Sequence, residues 1–387
     1  MLSARNGGPS RLPRCLTPLF LAVALAGLLP VNAAQDPETA ANLAYGDRLL
    51  ASHAKGAAAE YRIVLHIFEH VRGPDHPDTL LCRDKIAEAL ADWDEFEAES
   101  EELLTLLKIR RRLLGPEHLE TLQTWEKYAY ALSRAEKHEQ AESEYRALIA
   151  VRERLLGPDH PDVPRTYFAL ADALSENDQN AKAEELYRSV LATRERILGA
   201  EHPDTIDCRY SLAVILDAQG NFAEAEKEYR ATLASRQRVP DPEDPDQENI
   251  HLHLAGMFLF MLQPNYQEAE KEWRIVISFM EREGYSTVGY RAELAAALRG
   301  QGKLDEEEVQ RRAVVQTYDT TVRGREDELL PALCKLAICL RDQGKFQEAL
   351  EVVQRAENLQ KKDRRLTKPP GEEVVKLREE IEAALRR

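Results

Sequence analysis

Apolar residues along most of this chain return every three or four positions, a spacing that lines one face of a helix and does not suit a strand. In the stretch from Thr205 to Val239, one stripe is Ile206, Tyr210, Leu212, Ala213 and Leu216, and the next is Phe222, Ala225, Tyr229, Leu233 and Val239. Between them stands Gln219-Gly220-Asn221, where Gly and Asn tolerate the left-handed backbone of a tight turn. The pattern predicts a helical hairpin.

The hairpin recurs on a fixed period. Gly73-Pro-Asp-His-Pro-Asp-Thr79 returns as Gly115-Pro-Glu-His-Leu-Glu-Thr121, Gly157-Pro-Asp-His-Pro-Asp-Val163 and Gly199-Ala-Glu-His-Pro-Asp-Thr205, each 42 residues after the last. Periods of this length belong to stacked-repeat proteins, whose units are too small to bury their own apolar faces and are covered by their neighbours. In each phrase the Gly is expected to end one helix, the Pro to forbid its continuation, and Asp78, Asp162 or Asp204 to cap the next.

Small residues mark where helices approach closely. Ala87, Ala129, Ala171, Ala213, Ala255, Ala295 and Ala337 mark seven first helices. Twelve residues later come Ala141, Ala183, Ala225 and Ala349, with Ala269 displaced by two residues near Gln263-Pro264, while Glu99 and Glu307 break the row. Tyr61, 84 residues before Tyr145, implies an eighth, N-terminal pair. Pro240 to Asp246 reads as a degenerate copy of the inter-repeat turn, because Pro245-Asp246 stands 42 residues after Pro203-Asp204.

These residues resemble the tetratricopeptide repeats, in the 42-residue variety of the kinesin light chain. The resemblance is carried by Leu212-Ala213, Gly220-Asn221-Phe222, Glu224-Ala225-Glu226, Tyr229-Arg230 and Leu198-Gly199-Ala-Glu-His-Pro-Asp204, with their repeats. It implies an all-α, right-handed superhelical solenoid of about eight stacked hairpins over residues 36–358, with residues 359–387 forming a linker and a C-terminal capping helix.

The first residues obey different physics. Arg5, Arg11 and Arg14 precede an apolar run from Leu16 to Leu29, followed by Val31-Asn-Ala33-Ala34, a small-residue pattern suited to cleavage after Ala33 or Ala34. Residues 1–33 are therefore expected to be a secretory signal peptide, and the mature chain to be periplasmic or secreted without a membrane span. An uncleaved anchor is the competing reading; the run falls short of the roughly 20 residues that span a bilayer and contains Pro18. An export signal joined to this repeat resembles bacterial exported repeat proteins.

Charged residues make up 31% of the chain and aromatics 6%, as expected where helices show a wide solvated face. The formal charge is −16, more negative once the three leader arginines are removed, and no basic stripe is evident, so a nucleic-acid ligand is not expected. Cys82 and Cys208 occupy one position of units three repeats apart, and Cys334 and Cys339 lie roughly 8 to 9 Å apart on one predicted helix, so no intramolecular disulfide is expected. His76, His118, His160 and His202 share one repeat position, and helices roughly 8 to 10 Å apart do not bring two such rings to one ion; they are expected to be turn residues, with no metal and no cofactor. The chain has no His-Glu-x-x-His, nucleophile elbow, phosphate loop or dinucleotide fingerprint, and an enzyme is not expected.

What remains is the concave groove that the resemblance implies, lined by the first helix of each pair. Its positions project onto Asp84 and Glu88, Glu126 and Tyr130, Phe168 and Asp172, Tyr210, Val214 and Asp217, and Leu252. The Asn pair of kinesin light chains is missing, for the equivalents include Asp84-Lys85, Phe168-Ala169 and Leu252-His253, so their cargo preference does not carry over. An aromatic centre with acidic flanks predicts a non-catalytic scaffold that binds a protein or peptide with basic and apolar side chains. A self-associating assembly spacer is the structural alternative, and an enzyme with a groove-lining site the remaining one.

Overall fold

The computed structural model describes residues 44, 47–48, 51, 56–238, 246–321, 326–362 and 371–386. The expected leader with its cleavage after Ala33 or Ala34, most of the first helix expected for the pair implied by Tyr61, and residues 240–245 of the expected Pro240–Asp246 turn lie outside them. The described residues are helical, without strands, and they group into two compact units, residues 1–157 and 158–387.

In the first unit, α1 (Ala57–Val71), α2 (Pro77–Ala91), α3 (Phe96–Leu113), α4 (Leu119–Arg134) and α5 (His138–Leu156) pack in series, each on the helix before and after it in the chain. The second unit continues the same way through α6 (Asp162–Glu176), α7 (Asn180–Ile197), α8 (Pro203–Ala218), α9 (Phe222–Arg238), α10 (Asp246–Phe260) and α11 (Tyr266–Arg282). It ends with α12 (Val288–Gly300), α13 (Leu304–Thr321), α14 (Glu326–Asp342), α15 (Phe346–Lys362) and α16 (Gly371–Leu385). The last helix buries Val374, Leu377 and Ile381 in the cluster that holds Leu333, Leu336 and Val353.

Both alanine rows sit where helices meet. The seven first-helix alanines and Ala141, Ala183, Ala225, Ala269 and Ala349 are all buried, and without side chains beyond Cβ they let backbones approach. Tyr61, Tyr145, Tyr187 and Tyr229, each on a different second helix, are large buried counterparts.

Each position of the repeated phrase has a task. Gly73, Gly115, Gly157 and Gly199 hold φ between 82° and 92°, a left-handed conformation that ends the preceding helix and favours glycine. The acid two residues on takes an arginine from a later helix: Arg112 donates to Asp75 at 2.9 Å, Arg154 to Glu117 at 2.5 Å, Arg196 to Asp159 at 2.9 Å and Arg238 to Glu201 at 2.8 Å. Thr79 closes the loop by donating to the Gly73 carbonyl at 2.9 Å.

The capping residue is the histidine, which corrects the expectation placed on Asp78, Asp162 and Asp204. Nδ1 of His76, His118 and His202 accepts the backbone N–H of Asp78, Glu120 and Asp204 at 3.2 to 3.3 Å, and His160 accepts that of Asp162 at 3.3 Å. The following acid stands inside the first turn, where its charge favours the positive end of the helix dipole. Asp cannot be the cap because Pro77 and Pro203 already occupy the first helical position, one residue before it.

Within hairpins, the left-handed turn position falls on Asp94, Glu136, Asp178, Gly220, Gly302 and Gly344. Asn221 is not left-handed; Gly220 alone supplies the reversal that the sequence offered to both. Glu136, the only Glu of the series, has φ of 58°, where a Cβ and a long side chain are strained.

The two breaks in the second alanine row are resolved differently. Glu307 is fully buried, with Arg311 at 3.3 Å and Arg299 at 3.4 Å. Glu99 is 7% exposed, its Oε2 has no hydrogen-bond partner, and burial pushes its carboxyl up to about 7 against the fields of Lys127 and Arg134. Between pH about 4.5 and about 7 the folded chain holds a proton that the unfolded chain has lost, so stability falls as pH rises through that window and the penalty is complete above it.

Glu99→Ala, which restores the row, should therefore raise stability at pH 8 by on the order of 3 kcal/mol. The advantage should shrink towards pH 4.5; urea unfolding across that range checks it, and a gap that does not depend on pH would contradict it. Glu136→Gly should add about 1 kcal/mol at any pH by relieving the left-handed Cβ, measured by the same denaturation.

Candidate functional site

The candidate groove residues lie on the first helices of the hairpins in two rows one turn apart, which places them on a common helix face. In the first unit the rows are Asp84 and Glu126, then Glu88 and Tyr130; in the second they are Phe168, Tyr210 and Leu252, then Asp172, Val214 and Gly256. Glu88 and Tyr130 are exposed, and Asp84, Glu126, Phe168, Asp172, Tyr210 and Asp217 are half-buried.

Behind the first row runs a line of arginines on the second helices, each 26 residues after its groove position: Arg110, Arg152, Arg194 and Arg236. Arg152, Arg194 and Arg236 are buried. In the first unit Arg110 donates to Asp84 at 2.6 Å and to Thr124 at 2.5 Å, and Arg152 donates to Glu126 at 2.9 Å. Lys127 adds a second cation 3.6 Å from Asp84.

In the second unit the same arginines meet rings. The guanidinium of Arg194 lies 4.6 Å from the centre of Phe168 and that of Arg236 lies 5.9 Å from Tyr210, the geometry in which a ring face attracts a cation. Carbonyl and carboxylate acceptors complete them: Arg194 donates to the Asp204 carbonyl at 2.6 Å and Arg236 to Asp207 at 3.4 Å. Asp84 and Glu126 thus spend their charge inside the repeat, whereas Phe168 and Tyr210 are held in place by the arginines against their faces.

Asp172 accepts a 2.5 Å hydrogen bond from Tyr187. Burial pushes its carboxyl up to about 7; the Tyr187 bond and Arg194 oppose that, while Glu176 one turn on adds to it. The next repeat has Val214 where Asp172 stands, and Tyr229, equivalent to Tyr187, is left with a fully buried hydroxyl without a hydrogen-bond partner. His253 stacks on Tyr229 with ring centres 5.5 Å apart and meets Tyr210 edge-on at 6.0 Å. Its Nδ1 is 3.8 Å from the carboxylate of Asp217. Beside this cluster Asp217, Leu252, His253, Gly256, Met257 and Phe260 bound a concavity of about 250 Å³.

Sequence reasoning proposed the face and missed what stands behind it. The arginine line was visible as a 42-residue spacing, and Gly256 as a glycine inside a helical stripe. His253 gave no signal beyond its place after Leu252.

Away from this face, Cys82, Cys208, Cys334 and Cys339 are buried, and burial pushes the Cys82 and Cys208 thiols up to about 12. Among the described residues no cluster of three or more His, Cys, Asp or Glu side chains has the arrangement of a metal site. No described helix is long and apolar enough to cross a membrane.

A family model described as tetratricopeptide repeat matches residues 120–196 and 176–238. Solved structures similar to the chain include a putative kinesin light chain with nearly identical TPR-like repeats from Podosopora anserina, 21% identical over 64% of this chain and 98% of that one, with a TM-score of 0.32. BtubC (BKLC) from P. vanneervenii is 18% identical over 68% of this chain and 91% of its own, TM-score 0.34. A tetratricopeptide repeat protein from Parabacteroides merdae is 15% identical over 77% and 98%, TM-score 0.43. Among proteins of curated function, none matches the chain significantly. Residues 120–238 match the tetratricopeptide repeats, and the 42-residue, kinesin-light-chain-like period runs through them.

Proposed function

We propose that this chain is an exported, non-catalytic scaffold that binds a protein or peptide through the first-helix face of its second unit. The observation that carries the reading is the placement of Phe168 and Tyr210, half-buried at equivalent positions and each backed by a buried arginine, with Asp172 and Asp217 beside them. Held rings offer contact area at little entropic cost, because Arg194 and Tyr187 already restrict Phe168, and Tyr229 and His253 already restrict Tyr210. The Asp217 carboxylate at their flank sets a preference for positive charge in the partner. The first unit's face is less suited, since Asp84 and Glu126 are neutralised by Arg110 and Arg152.

Export rests on the leader alone: three arginines, an apolar run and the small residues Ala33 and Ala34. The non-catalytic part rests on the sequence and on the family, whose repeats are in general scaffolds.

Partners captured by the mature chain from its native compartment should lose at least tenfold in affinity to the double variant Phe168→Ala, Tyr210→Ala, with helicity retained by circular dichroism. Unchanged binding would remove this face from consideration. N-terminal sequencing of the protein from its producing cell should begin at Ala34 or Gln35; an intact Met1 in the membrane fraction would establish the anchor reading instead.

A further inference from the structure

Gly256 sits inside α10 and has no conformational reason to be glycine. Its φ is not positive, and a Cβ built there would meet nothing within 4 Å, so neither backbone nor packing requires it. Glycine is also a poor helix former, so the position is held against local stability. The equivalent positions of the preceding repeats carry Val214 and Asp172 within the same unit. What the missing side chain does is leave the floor of the concavity open.

The walls are apolar and one rim is charged. Leu252, Met257 and the 65% exposed Phe260 line the concavity, and its volume of about 250 Å³ suits one large side chain. On the rim, the only basic side chain within 4 Å of the Asp217 carboxylate among the described residues is His253, whose Nδ1 at 3.8 Å is beyond hydrogen-bond reach. Its lone pairs are therefore available to an incoming N–H, unlike those of Asp172, which Tyr187 occupies. The chain's net charge of −16 favours approach of a cationic segment.

We infer that this concavity is the anchor subsite of the peptide-binding face, taking one large apolar side chain of a linear peptide over Gly256 while Asp217 reads a neighbouring lysine or arginine. The inference rests on the groove reading above and names the partner's chemistry: an apolar residue followed or preceded by a basic one, in extended or helical backbone. His253, fixed by its stack on Tyr229, closes the rim on the side of Tyr210.

The test uses the full mature chain and fluorescein-labelled Gly/Ser peptides that differ at one central pair, Phe-Lys, Phe-Glu or Ser-Lys, read by fluorescence anisotropy. Phe-Lys should bind at least tenfold tighter than either other peptide. Gly256→Leu fills the concavity and improves the helix, so it should raise the thermal midpoint while weakening Phe-Lys at least tenfold, an outcome misfolding cannot mimic. Gly256→Ala should raise the midpoint with a smaller loss of binding. Asp217→Asn should abolish the preference of Phe-Lys over Phe-Glu. Phe-Lys binding that survives Gly256→Leu but is lost in Phe168→Ala overturns the subsite and leaves the face intact. Binding untouched by either variant, or absent for all three peptides at millimolar concentration, overturns both.

Discussion

The structure depends on how closely two helices can approach at an alanine. Where Ala129 or Ala213 on a first helix faces its neighbour, no side chain holds the backbones apart, and leucines and tyrosines on either side reach across to fill the remaining space. No single hairpin closes a core in this way. Each unit needs the next hairpin to finish it, and so the same spacing must recur along the chain for any of it to be stable. Glu99 shows how strict the constraint is: one carboxyl in an alanine slot cannot find a partner for both oxygens, and it retains its proton nearly to neutrality.

A second regularity is laid over the first. The arginine line behind the candidate face is constant in position and varies in counterpart, with carboxylates at Asp84 and Glu126 and ring faces at Phe168 and Tyr210. A guanidinium accepts both because it is planar and weakly hydrated, able to donate in its plane or to lie against a π-surface. The substitution changes what the face presents without rebuilding what supports it. One unit shows neutralised acids and the other shows braced aromatics.

The fold was legible because it is written many times. Period, hairpin, alanine rows and glycine helix ends are each stated in several copies, and a reading that fits four copies leaves few alternatives. The helix cap was misassigned to Asp78 and its equivalents because sequence preference favours Asp, whereas the register set by Pro77 moves the cap one residue earlier, onto His76. The candidate site was legible only as a face. That Asp84 and Glu126 are engaged within the repeat depends on contacts 26 residues away in the chain, and periodicity says nothing of what a side chain touches. Gly256 could be read as a helix weakness from sequence, but its meaning required the open space above it.

The exposed pairs Arg112–Asp75 and Arg154–Glu117, and in the other unit Arg196–Asp159 and Arg238–Glu201, tie one inter-repeat turn to a helix belonging to the following hairpin. They lie at the surface, where mobile ions compete for both members, while the alanine contacts beneath are dry. Electrolyte therefore screens the ties between turns and following hairpins while leaving the packed interior alone, so added salt acts on the rim of the array before it acts on its helices.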